Sequence, residues 1–112
     1  MTTANRPNHS DLAEALRRAV LEGPGVTDAT LRRAVAETAA GEPTAKAPYD
    51  ELARQIGAAA DRVRDEQVAA VLKAAGSEKA AFEIIAASAV GAGLFRWRQA
   101  IKAIAEASDA PA

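Results

Sequence analysis

The chain has 112 residues, 49% of them hydrophobic, but 31 of those hydrophobic residues are alanine, and 14 basic against 15 acidic side chains leave a formal charge of −1. A chain of this length makes one domain, and so few bulky side chains leave only thin apolar seams between its elements. The charge balance gives no reason to expect a nucleic-acid or membrane partner. The absence of cysteine excludes disulfides, thiolate metal sites and thiol peroxidase chemistry, and fits a reducing, cytoplasmic setting.

Residues 1–9 are polar, carry no apolar run, and read as a disordered leader ahead of a single domain at 10–107, with a short disordered tail at 108–112. Ser10 is placed to cap a first helix in which Leu12, Leu16, Ala19 and Val20 recur at helical spacing, and Gly23-Pro24-Gly25 ends it. Thr27 is placed to cap a second helix, with Leu31 and Val35 on its apolar face and Gly41 and Pro43 as its stop. Two short helices with a tight connection predict a helical hairpin. After a polar loop at 41–48, Pro48 suits the first turn of a third helix lined by Leu52, Ile56, Ala59, Ala60 and Val63. Asp65 is placed to cap a fourth, bearing Val68, Val71 and Leu72 and closed by Gly76.

Ser77 opens the fifth and longest helix, read as Glu78 to about Ala107. Its residues Phe82, Ala86, Val90, Leu94, Trp97, Ile101 and Ile104 keep to one broad stripe, with Ile84 and Phe95 falling roughly opposite. A helix apolar on two faces is either central to its domain or shared with another subunit. Gly91 and Gly93 interrupt it at about 1 kcal/mol each relative to alanine, which a close helix crossing, a kink or a ligand approaching the backbone would offset. The uncharged run that begins at Ile84 is much shorter than a membrane span. No segment alternates with period two. The expectation is an all-α bundle of about five helices: a short N-terminal hairpin, a helix-turn-helix and one long C-terminal helix.

The stretch AAGSEKAAFEIIAASAVGAGLFRWRQAIKAIAEA, residues 74–107, resembles the C-terminal half of the carboxymuconolactone decarboxylase and alkylhydroperoxidase D-like superfamily, and residues 49–75 fit the helix-turn-helix that precedes it there. The resemblance rests on helix lengths and small residues and covers about half of the chain. It implies an all-α fold and oligomeric habits. Peroxidase members carry Cys-x-x-Cys and then a histidine on the helix before the Ala-Gly; aligned through Ala75-Gly76, those positions hold Asp61, Arg64 and Val68, and the family's upstream glutamate falls near Glu51. None of the three can replace a thiolate, a resolving sulfur and a proton relay, so peroxidase activity is not expected.

Each candidate site admits a structural reading beside a functional one. Asp61 to Glu66 is either a solvated, charge-balanced turn or an anion site built on Arg62 and Arg64. Trp97 with Arg98 is either packing or a binding anchor, and Arg17-Arg18 with Arg32-Arg33 is a basic surface offset by nearby acids. Glu51 and Glu83 are the acids to consider for acid–base work if a pocket exists. The lone histidine, His9, could transfer protons only if the leader folded back over a pocket. No metal and no cofactor are expected.

Three functional readings remain. The chain is a catalytically silent member of the superfamily, acting as a homo-oligomeric structural or binding subunit. Alternatively it is a cofactor-free acid–base lyase or isomerase resembling carboxymuconolactone decarboxylase, using Glu51, Glu83, Arg64 and Arg98 around an enclosed pocket. Alternatively it is an adaptor for a larger protein, with Ile84 and Phe95 as its contact patch. The residues lean toward a non-enzymatic role.

Overall fold

A computed structural model of the chain describes residues 8–109. Among them are five α-helices and no strand: α1 His9–Arg17, α2 Ala29–Ala39, α3 Tyr49–Ala59, α4 Asp65–Ala75 and α5 Glu78–Asp109. The expected all-α bundle of about five helices is what forms. A π-helical turn, Arg18–Glu22, extends α1, and a 3₁₀ turn, Ala60–Arg62, follows α3.

The start of the domain differs from the expectation by a few residues at each cap. Asn8, not Ser10, caps α1: its side chain accepts from the Asp11 amide at 2.8 Å, so Asn8 and His9 belong to the helix rather than to a leader. Asp28, not Thr27, caps α2 by accepting from the Thr30 amide at 3.0 Å, and Asp65 is the first residue of α4, with Arg64 in the cap position. At α1 and α2 several capping side chains lie within a residue or two, and local geometry selects the one that reaches the free amides; at α4 the Arg64 amide instead donates to the Gln67 side chain at 2.9 Å. Ser77 caps α5 as expected, accepting from the Ala80 amide at 3.1 Å, and Gly76 closes α4 at φ 92°. Ser108 and Asp109 are still helical, so the tail reading starts too early; residues 1–7 and 110–112 lie outside the described residues.

Helix α5 is the hub, packing on α1, α2, α3 and α4. Its core side is Ala80, Ala81, Ile84, Ala87, Ser88 and Ala92, set against Val35, Ala36, Leu52, Ile56 and Val71. This reverses one expectation: Ile84 is fully buried, whereas Phe82, from the predicted stripe, is 69% exposed. Ile84 therefore cannot belong to a contact patch for a partner. The alanines on this side let helices approach until backbone meets backbone. A Cβ built on Gly91 would stand 2.6 Å from the Ala36 carbonyl carbon, and one on Gly57 would stand 2.8 Å from that of Ala39. Glycine is required at both crossings because any side chain would push α2 away.

The hairpin loop is fastened from inside. Arg32 is 4% exposed, and its guanidinium donates to the Val20 carbonyl at 2.8 Å and the Gly23 carbonyl at 2.7 Å, serving the free carbonyls at the end of the π turn. Its Nε is left without a partner. Arg32 is thus removed from the basic surface that the Arg32-Arg33 pair suggested. Thr38, also buried, accepts from the Thr44 and Ala45 amides and holds the loop after α2.

Beyond Phe95 the bundle ends and α5 does not. Every residue from Arg98 to Asp109 is exposed, about 18 Å of helix projecting from the domain. The radius of gyration is 16.5 Å, against about 13 Å for a closely packed domain of similar size. By length and composition α5 is also apolar enough to cross a membrane, over a window that is 39% buried in this fold.

Candidate functional site

Helix α1 is amphipathic but contributes no buried residue. Its apolar side, Leu12, Ala13 and Leu16, stands beside Ala89, Val90, Gly93, Leu94 and Trp97 of α5, and the two helices bound a groove of about 490 Å³ with His9 at one end. Leu12 and Leu16 remain 53% and 48% exposed although they flank it. The groove is continuous with the outer stripe of α5, where Ile101 and Ile104 stand 45% and 62% exposed. Gly93 lies in its floor, and a Cβ there would meet nothing within 4 Å. Such an unpaired apolar track is costly to leave in water, at roughly 25 cal/mol for each Å² of apolar surface.

A second, smaller concavity of about 220 Å³ lies on the other side of α5. Arg17, Arg33 and Arg98 rim it, with Glu37 among them and Leu21, Leu94 and Phe95 as apolar lining. Arg17 is already engaged, 2.6 Å from Glu22, and that contact holds the Glu22 carboxyl below its ordinary range. Arg98 and Phe95 meet here because both follow the core side of α5 past the end of the core; Trp97 faces the groove instead. Trp97 and Arg98, adjacent in sequence, thus serve different surfaces.

The candidate acids separate. Glu51 accepts from Arg64 at 2.9 Å and from Gln67 at 3.5 Å, so this pair of candidates does come together, with both charged side chains 60% exposed. Glu83 is elsewhere, receiving the Val26 amide at 2.9 Å, the Thr27 amide at 2.9 Å and the Thr27 hydroxyl at 2.5 Å. These hydrogen bonds hold its carboxyl down at about 2, so it is an anion that ties the loop before α2 to α5. With Arg98 on the arginine-rimmed pocket, the four residues of the acid–base reading occupy three different places. Among the described residues no group of three or more His, Asp or Glu could hold a metal ion.

Sequence reasoning identified Trp97, Val90 and Leu94 as one stripe but missed the groove itself. Leu12 and Leu16 carry the signal, since their periodic spacing shows an apolar face, but nothing local shows that α1 lies along α5. No family model matches the chain, and neither a curated protein nor a solved structure matches it.

Proposed function

We propose that the protein is a catalytically silent, self-associating structural or binding subunit of the alkylhydroperoxidase D-like type. The observation that supports this most is the apolar track along α1 and α5, on which Leu12, Leu16, Ile101 and Ile104 are exposed and Val90 and Trp97 only partly covered. A chain with a thin alanine core gains most from sharing such a face with a second copy. The silence follows from chemistry: a thiol peroxidase needs cysteine and the chain has none, while Glu51 is engaged with Arg64 on an open surface. The adaptor reading would use the same track, or Phe95, and not Ile84.

Sedimentation of the full chain tests the reading. A concentration-dependent oligomer is expected, and a monomer persisting to about 100 μM would remove the proposal. Turnover of a hydroperoxide with a thiol donor above background would remove the catalytic silence.

A further inference from the structure

We infer that the occupant of the α1–α5 groove is α5 of a second copy, running antiparallel about a two-fold axis at Trp97; the inference rests on the self-association proposed above. The apolar positions of the outer stripe are symmetric about that residue. Val90 and Ile104 lie seven residues to either side of it, and Gly93 and Ile101 lie four to either side. In an antiparallel pair centred on Trp97, each copy's Ile101 therefore meets the other's Gly93 and each Ile104 meets the other's Val90. A bulky side chain is delivered to a glycine with open space above it, four residues from a tryptophan that meets its own copy.

Two further features favour this occupant. At about 100° per residue, Arg98, Lys102, Glu106 and Asp109 fall on the side of α5 that faces the core higher up, while Trp97, Ile101 and Ile104 stay on the outer side. The projecting end is thus an amphipathic helix whose apolar side has no counterpart in its own domain. Its charged side turns away from the contact that the two-fold makes. Arg96, which could crowd the axis, is drawn back to the Gly57 carbonyl on α3. Leu12 and Leu16 then flank the incoming isoleucines, which gives the otherwise unburied α1 its packing partner.

The chain has no cysteine, so single introduced thiols report the geometry cleanly. Val90→Cys and Ile104→Cys, mixed under mild oxidation, are expected to give a disulfide-linked heterodimer, while neither variant alone cross-links. Along an antiparallel pair the two position-90 thiols would be about 21 Å apart, far beyond disulfide reach. Trp97→Asp should raise the dissociation constant at least tenfold with helicity unchanged by circular dichroism. Phe82→Asp, at a more exposed aromatic outside the symmetric register, should leave it unchanged. A disulfide from Val90→Cys alone, or an oligomer in which the mixture fails to cross-link, overturns the inference and leaves self-association standing. A chain that stays monomeric overturns both.

Discussion

Gly91 and Gly93 are two residues apart on one helix and about 200° apart around it, and they do opposite things. Gly91 is pressed against the backbone of Ala36, while Gly93 opens onto empty space at the groove. The inner side of α5 is complete: alanine and glycine bring helix backbones together and Ile84 fills what remains. The outer side is made of larger residues and meets only the rim of α1. Small residues thus mark a finished interface on one face and an unfilled hole on the other, and their meaning comes from what stands opposite.

Ile84→Ala should have the largest effect. It removes a fully buried side chain from an alanine-lined core with little capacity to collapse, and a loss of about 2–5 kcal/mol in chemical denaturation is expected. A loss near zero would mean that the inner face is not the core. Gly91→Ala comes next. The added methyl gains about 1 kcal/mol of helix propensity but forces α2 outward, for a net loss of about 1–3 kcal/mol.

Glu83 sits at the margin of the two faces and gives a pH signature. Its carboxyl is lowered from 4.5 to about 2 in the folded chain, so folding favours the anion. The stabilisation it supplies is complete above its unfolded value of 4.5 and fades as the pH falls from there toward 2. Denaturation midpoints of the natural chain and Glu83→Gln should therefore differ above that window and converge below it. A constant difference would show that the carboxylate charge is not what holds the loop.

On the outer face the expected effects are small or reversed. Gly93→Ala should stabilise the dissociated subunit by up to about 1 kcal/mol, because nothing opposes the methyl. Ile104→Ala should change it by less than about 0.5 kcal/mol, with any larger effect appearing only as weakened association. Equal responses at Gly91 and Gly93 would erase the distinction between the faces.

How much was legible depends on how local each cause is. Gly76 and the Gly23-Pro24-Gly25 stop act through their own backbone and Ser77 through its own hydroxyl, and each works as its residue type dictates. The caps at Asn8 and Asp28 were displaced by one or two residues because several capping side chains compete within one turn. Arg32 was read as surface because arginine usually is, and its burial depends on carbonyls freed twelve and nine residues earlier. Of the candidate site residues, Glu51 and Arg64 meet across a turn, whereas Glu83 is claimed by a loop 57 residues away in sequence.

By itself the sequence determined that the chain is helical, that Gly76 ends the fourth helix, that thiol chemistry is impossible, and that α5 has two apolar faces; the third helix, read through Val63, stops at Ala59. Periodicity, glycine and proline act within a few residues, so these properties need no partner to be read. Only the tertiary structure decided which of the two faces is buried. Both are apolar, and the choice between Ile84 and the Trp97 stripe turns on shape: alanine and Gly91 allow α2 to close on one side, whereas among the described residues only α1 lies along the other, and it leaves a groove.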